Sequence, residues 1–175
     1  GGEPSLGGDF GTRAGRGFLI ASRLTFADKM KLAGPDEYEV TLLNRSASIR
    51  AIDGTTHFVA PATAKKKPKL YVASQGGTLL YVGVTTQSMS VRLRGGLTAD
   101  GTHGYHGYSW GKKDHSIRLQ IWYLNGDSGT TTDLETIEAE VVFLYRHESG
   151  QWPTAQTEIH FHASNEHHRN CARQI

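Results

Sequence analysis

Two adjacent glycines, Gly76 and Gly77, constrain the fold of this chain more than any other feature. They separate two runs rich in β-branched and aromatic residues, 69–74 and 79–84. Such residues favour strands, and a two-residue glycine turn suits a tight hairpin because glycine adopts positive φ angles without strain. The pattern predicts an antiparallel β-hairpin in the middle of the chain.

The segments before the hairpin predict both helix and strand. Residues 24–32 are typical of a short helix, which the Gly34-Pro35 pair would end. Apolar and polar residues then alternate over 38–42, as they do in a strand with one buried face. The N-terminal third is therefore expected to be α+β in character.

The segments after the hairpin predict two helices and one further strand. Residues 86–94 are typical of a helix, stopped by Gly95 and Gly96. Residues 117–124 alternate as a third strand does. Residues 132–146 open with the Thr-x-x-Glu pattern of a capping box and continue with apolar residues at helical spacing. We expect an α+β fold with a small antiparallel sheet of about three strands, flanked by helices.

Composition suggests one domain with an N-terminal elaboration. The chain has 175 residues, of which 37% are hydrophobic, enough to fill one core. We expect a flexible arm over 1–17, an elaboration for recognition or dimerisation over 18–64, and the main core over 65–175. Residues 60–69, with two prolines and three consecutive lysines, are interpreted as a basic linker between the last two.

Cysteine content and hydropathy favour a cytoplasmic protein. The single Cys171 cannot form an internal disulfide, so the fold does not require an oxidising compartment. No run approaches the roughly 20 apolar residues of a membrane span, and the glycine-rich N-terminus lacks the apolar stretch of a signal peptide. We expect no membrane association.

Charge is segregated along the chain although the net charge is only +2. Residues 65–120 contain nine Lys or Arg and two acids, whereas residues 121–166 contain eight acids and one arginine. A basic surface beside a carboxylate-rich element would suit a metal-dependent phosphodiesterase, since one binds phosphate and the other a divalent ion. Ordinary solvated surface charge explains the same distribution.

Four short motifs in a fixed order are more specific. Leu70-Tyr71-Val72 and Tyr81-Val82-Gly83 lie ten residues apart on the two strands of the hairpin, Arg92 follows on a helix, and Ile137-Glu138-Ala139-Glu140 lies on the last helix. Their order and spacing resemble those of the GIY-YIG nuclease superfamily, over residues 69–162. Within this range, the segment 151–162 resembles small standalone members, among them type II restriction endonucleases.

The resemblance implies an activity and its residues. It implies a divalent-metal-dependent endonuclease that cuts double-stranded DNA, with Tyr71, Tyr81, Arg92 and Glu140 as catalytic residues. One tyrosine would take the proton of a water, and Arg92 would donate hydrogen bonds to phosphate oxygens. Glu140 would hold Mg²⁺ or Mn²⁺. A palindromic site would be read by a homodimer, which is a secondary expectation.

Two positions depend on the alignment of the motifs. Glu138 and Glu140 are hard to separate on a helical projection, and the family register selects Glu140. The asparagine that often follows the glutamate helix is replaced here, with Gln156 nearest to its place. The histidine that many relatives carry one turn after the arginine is replaced by Gly96.

Residues that would contact the nucleic acid surround these motifs. The loop 103–113 mixes aromatic residues, histidines and lysines among glycines, so it is suited either to stacking on bases or to a surface loop around a buried Trp110. The residues assigned to nucleic-acid binding are Arg94, His103, His106, Lys112 and Lys113.

Other functions are compatible with the same sequence. A non-specific nuclease toxin or effector would carry the same motifs, and a binding module would keep the fold without the chemistry. A zinc-stabilised protein would use His160, His162, His167, His168 and Cys171. Their spacing matches no familiar zinc finger, and His160 and His162 are better interpreted as one face of a strand.

Overall fold

The computed structural model describes residues 31–102, 104–125 and 129–175. They form an α+β fold with one five-stranded sheet, antiparallel throughout, in the order β2-β1-β5-β3-β4. Its elements are β1 Leu32–Leu43, β2 Ser46–Ala51, β3 Lys69–Gln75, β4 Thr78–Thr85, α1 Met89–Thr98, a 3₁₀ helix Ser109–Lys112, β5 His115–Leu124, α2 Thr131–Ser149 and α3 Glu166–Ala172.

The predicted hairpin is present as β3 and β4. Gly76 and Gly77 connect the strands with φ angles of 55° and 82°, a conformation that glycine adopts without strain. The register shifts between Ala73 and Ser74, where Ala73 pairs with Tyr81 but Ser74 pairs with Leu79, so Leu80 is the extra residue of a bulge.

The α+β class is confirmed, but the sheet has five strands rather than about three. The two additional strands, β1 and β2, come from the segment interpreted as an elaboration, and β1 pairs with β5 along nearly its whole length. The alternation at 38–42 is confirmed, because Tyr38, Val40 and Leu42 are buried in β1. Strands on both sides of the predicted division at 64/65 thus share one sheet.

Several predicted element boundaries are wrong. Most of the helix expected over 24–32 lies outside the described residues, but Leu32 already begins β1, which continues through Gly34-Pro35 by a local irregularity. Helix α1 passes through Gly95 and Gly96 and ends at Thr98.

Two further expectations for the C-terminal half need correction. The capping box of α2 is formed by Thr130 and Asp133, since each side chain bonds to the backbone N–H of the other. His160 and His162 lie in irregular chain, not on a strand, because residues 155–165 form neither helix nor strand. The flexible arm predicted over 1–17 lies outside the described residues.

The sheet separates two apolar layers. One face packs against α1 and the 3₁₀ helix, with Tyr71, Met89, Leu93, Tyr108 and Ile121 in its core. The opposite face packs against α2 and α3 through residues such as Val72, Val82, Ile137 and Cys171. Edge strand β4 contributes to both layers, with Tyr81 packed against the first and Val82 in the second. Among the described helices none is long and apolar enough to span a membrane.

Candidate active site

Three tyrosines and one arginine meet on the α1 face of the sheet. Tyr71 on β3 is fully buried, and its hydroxyl lies 2.9 Å from the Tyr108 hydroxyl. Arg92 on α1 donates from Nε to the same Tyr71 hydroxyl at 3.1 Å. The ring of Tyr81 lies 5.9 Å from that of Tyr71 and 5.6 Å from that of Tyr108. The predicted residues Tyr71, Tyr81 and Arg92 are therefore neighbours.

The glycine of the second motif makes room for this cluster. A β-carbon at Gly83 would lie 2.5 Å from the Tyr71 hydroxyl oxygen, closer than real β-carbons approach. Gly83 pairs directly with Tyr71 in the register of the hairpin, so the two tyrosine motifs lie opposite each other on β3 and β4. The small residue allows the Tyr71 ring to lie across the neighbouring strand.

Tyr108 is a member of this cluster that the sequence reasoning did not select. It lies on the loop before the 3₁₀ helix, is buried, and stacks on Trp110 with ring centroids 4.5 Å apart. Its ring occupies the space over Gly96, where a β-carbon would lie 2.1 Å from it. Two features of the sequence could have indicated this contact: the glycine at position 96 of the predicted helix region and the tyrosine in the loop that follows.

Arg92 is held by aromatic groups on one side and remains open on the other. Its guanidinium carbon lies 5.5 Å from the Tyr108 ring and 5.6 Å from the exposed Tyr105 ring, within cation–π range. The only hydrogen bond from the Arg92 side chain to a described residue is the one from Nε to Tyr71. The terminal nitrogens are thus available to an external acceptor such as a phosphate.

The buried glutamate of α2 is Glu138. Only 3% of its surface is exposed, and burial together with the nearby charge of Glu135 raises its pKa to about 8, while Arg92 acts in the opposite direction. Its charge also adds to the burial that raises the pKa of Tyr81. The carboxyl group of Glu138 is therefore close enough to Tyr81 and Arg92 for charge to act between them.

The structure does not bring Glu140, assigned to catalysis and metal binding, into this cluster. Two residues along a helix turn the side chain by about 200°, so Glu138 and Glu140 point in nearly opposite directions. Glu140 is half-buried and forms no hydrogen bond or ion pair with any described residue. The carboxyl group that acts electrostatically on Tyr81 and Arg92 is that of Glu138.

Gln156 connects the glutamate to the tyrosine strand. Its side-chain amide accepts a hydrogen bond from the Val82 N–H at 2.9 Å and donates to the Val82 carbonyl at 3.1 Å, which closes the free edge of β4 beside Tyr81. It also donates to the Glu158 carbonyl at 2.8 Å. An amide nitrogen has two hydrogens, so its contact with Glu138 at 3.4 Å is weak.

The donor set suits one divalent ion bound mainly by water and substrate. Glu138 has a buried carboxylate whose only hydrogen bond to a described residue is that long one, and a hard cation would satisfy it. Within residues 31–102, 104–125 and 129–175 no three His, Cys, Asp or Glu side chains are grouped to hold a metal. That set includes the C-terminal histidines considered for zinc; His168 instead bonds Asp133 at 3.2 Å.

The described residues assigned to nucleic-acid binding form no hydrogen bond or ring contact with this cluster. Arg94, His106, Lys112 and Lys113 are exposed. His103 lies outside the described residues. Trp110 is buried, as expected if the loop 103–113 is a surface loop around this residue. Tyr105 of the same loop is 45% exposed and lies beside Arg92.

Known proteins offer no closer guide to this site, since no family model, curated protein or solved structure matches the chain.

Proposed function

We propose that this chain is a divalent-metal-dependent endonuclease of the GIY-YIG type that hydrolyses a phosphodiester of double-stranded DNA. One observation carries the proposal. Arg92 donates to the Tyr71 hydroxyl, beside Tyr81 and the buried Glu138, and these residues come from β3, β4, α1 and α2. A cation, a phenol and a carboxylate in one place are the groups that phosphodiester hydrolysis uses.

The tyrosines have different roles in this proposal. Tyr71 is fully buried and already bonded to Arg92, so it positions the arginine instead of contacting substrate. Tyr81 is half-buried and is the tyrosine that reaches the attacking water. Burial raises the pKa of Tyr81, and the Arg92 cation acts to lower it. Arg92 only partly offsets the effect of burial, so Tyr81 accepts the water's proton as it passes its own hydroxyl proton to solvent.

The remaining residues support the phosphate. The water oxygen bonds to phosphorus as the phosphorus–oxygen bond to the leaving group breaks, and solvent protonates the leaving oxygen. Arg92 donates from its terminal nitrogens to the phosphate oxygens, where negative charge accumulates in the transition state. Glu138 would hold the divalent ion, which supplies charge neutralisation at the phosphate when bound. Gln156 holds the edge of β4 beside Tyr81 through its two hydrogen bonds to Val82.

Plasmid digestion with a matched pair of variants tests this proposal. We expect wild-type protein to cut supercoiled plasmid with Mg²⁺ and not with EDTA. Glu138→Gln should lower the rate about a hundredfold or more because the ion loses its carboxylate, whereas Glu140→Gln should cut within about threefold of wild type. Both variants are checked for folding by circular dichroism.

Each outcome has a definite meaning. Normal cutting by Glu138→Gln, or equal losses in the two variants, contradicts the assignment of the site. Discrete fragments indicate a site-specific enzyme, and a smear indicates a non-specific nuclease. Absence of cutting of DNA and RNA in Mg²⁺ and Mn²⁺ favours a binding module.

A further inference from the structure

A long acid-free segment surrounds the proposed site. Residues 54–99 contain no Asp or Glu, although they include the loop before β3, the hairpin and α1. The same segment carries six basic residues: Lys65, Lys66, Lys67, Lys69, Arg92 and Arg94. Half of them form one consecutive run, which lies on what we term the lysine loop, residues 62–68.

Three hydrogen bonds tie the lysine loop and Lys69, the first residue of β3, to the segment that leads from β4 into α1. The Lys66 N–H donates to the Thr86 carbonyl at 2.7 Å, and the Met89 N–H donates to the Ala62 carbonyl at 3.0 Å. The buried Lys69 amine donates to the Gln87 carbonyl at 2.8 Å. The loop that carries the lysines is therefore held in place against the connection between β4 and α1.

Lys69 also holds the loop from inside. Its fully buried amine donates to the carbonyls of Ala64 at 2.8 Å and Lys67 at 2.7 Å, in addition to Gln87. All three donors of the ammonium group are thereby used. The carbonyl just before the lysine run and the carbonyl of its last residue both accept from this amine, so the backbone of the run is fixed at the surface.

The three lysine side chains of the run are exposed and unneutralised. Lys65, Lys66 and Lys67 form no ion pair with any acid in the described part of the chain, and neither do Arg92 and Arg94. Like charges held close together repel, which makes the arrangement unfavourable until an anion binds. A fixed, unpaired cluster of ammonium groups is a site for a polyanion.

The loop lies close to the proposed phosphate-binding arginine. It contacts Thr86 and Gln87, and the Arg92 N–H bonds to the Ser88 carbonyl one helical turn further on. A turn of helix rises about 5.4 Å, so the loop lies on the order of 10–15 Å from Arg92. The loop and Arg92 are thus close enough to contact phosphates of one strand that lie a few nucleotides apart.

We propose that the lysine loop is a backbone-binding surface for the substrate nucleic acid, which contacts phosphates through Lys65, Lys66 and Lys67 a few nucleotides from the bond held at Arg92. This inference rests on the proposed function and adds where the substrate runs. The contact is to phosphate, so it contributes affinity and orientation without sequence preference.

Binding to duplex DNA in EDTA tests the surface without any cleavage. The variant is Lys65→Gln with Lys67→Gln; Lys66 is kept because its φ of 61° is one that side chains rarely adopt. The matched control, Arg50→Gln with Arg173→Gln, removes the same charge from exposed residues on β2 and after α3. Fluorescence anisotropy of a labelled 24-base-pair duplex gives Kd at several salt concentrations.

The loop variant and the control should differ clearly. Two lost phosphate contacts should weaken binding about tenfold at 0.1 M salt and make the plot of log K against log salt shallower by about 1.8. The control should change Kd by less than about threefold and leave the slope unchanged.

Three outcomes overturn the proposal. Equal effects in both variants would mean that only net charge matters, and an unchanged slope in the loop variant would mean that these lysines make no phosphate contact. Either result leaves the nuclease proposal standing if the plasmid assay shows metal-dependent cutting. Loop-dependent binding to phosphatidylserine vesicles without binding to DNA would assign the surface to a membrane instead.

Discussion

At the residue scale, the carboxyl group of Glu138 is the most unusual feature of this protein. Charged side chains are rarely buried without a partner, yet Glu138 is 3% exposed and has one long hydrogen bond to a described residue. Its pKa of about 8 means that the folded protein holds this group neutral at pH 7. Such a group lowers stability wherever the unfolded chain would ionise it.

This raised pKa predicts a pH-dependent gain in stability for Glu138→Gln. The pKa in the fold exceeds the ordinary value of 4.5, so the stability of wild type falls as pH rises from about 4.5 to 8 and is then constant. Glutamine has no such cost. We expect the variant to gain on the order of 5 kcal/mol relative to wild type across that range, because the range spans about 3.5 pKa units at about 1.4 kcal/mol each.

Urea unfolding in EDTA between pH 5 and pH 9 measures this difference. Glu140→Gln is the control, and its stability relative to wild type should not change in the same way. A pH-independent difference for Glu138→Gln would show that the carboxyl titrates normally and is accessible to water.

The hydroxyl of Tyr108 carries a second prediction at this scale. Tyr108→Phe keeps the ring over Gly96 but removes the partner of the Tyr71 hydroxyl. We expect kcat for DNA cleavage to fall about tenfold, because Tyr71 loses part of the network that orients Arg92, with a stability loss of about 1 kcal/mol. Kd for DNA in EDTA should not change.

Tyr105→Phe is the control, because it keeps the ring beside Arg92, and it should retain activity. Equal losses of activity in the Tyr108 and Tyr105 variants would contradict a specific role for Tyr108.

Sequence reasoning at this scale succeeded where motifs lie on regular local structure. The hairpin pattern predicted which strands carry Tyr71 and Tyr81, and Arg92 lies beside them. The choice of Glu140 over Glu138 depended on motif register and on a helical projection that placed Glu140 at the edge of the apolar stripe. Glu138 follows Ile137 and lies one turn after Leu134, both fully buried, so it shares the stripe that faces the sheet.

At the element scale, α1 depends on two glycines with opposite roles. Gly95 and Gly96 were expected to stop the helix, since glycine is unfavourable within helices by about 1 kcal/mol relative to alanine. The helix continues because Gly96 provides the space for Tyr108, and the Tyr108 N–H donates to the Gly96 carbonyl at 2.8 Å. Such a tertiary contact is not visible in the local sequence.

These roles predict opposite effects for two adjacent substitutions. A β-carbon at Gly95 would meet no atom within 4 Å, so Gly95→Ala should stabilise the protein by about 0.5–1 kcal/mol. The same change at Gly96 would place a β-carbon 2.1 Å from the Tyr108 ring, so Gly96→Ala should destabilise by about 1–3 kcal/mol. Thermal unfolding of both variants measures the contrast. Equal effects of the two substitutions would contradict the packing of Tyr108 on α1.

At the whole-molecule scale, the sequence predicted the class of fold but not the size of the sheet. Strands β1 and β5 pair between residues such as Val40 and Ile117, which are 77 positions apart. Local periodicity identifies each strand, but it does not show which distant strand pairs with it. The N-terminal segment was therefore interpreted as an addition to a three-stranded core, whereas two of its strands extend the sheet.

The central position of β5 has a consequence for how the chain is made. As the protein leaves the ribosome from its N-terminus, β1 and β2 emerge first, and the β3–β4 hairpin follows. Neither pair has its neighbour in the sheet until residues 115–124 appear, because β5 lies between them. Until then each pair presents an unpaired edge. The complete sheet therefore forms only after β5 has been synthesised. Contacts between residues so distant in sequence give a high contact order, which favours slow folding.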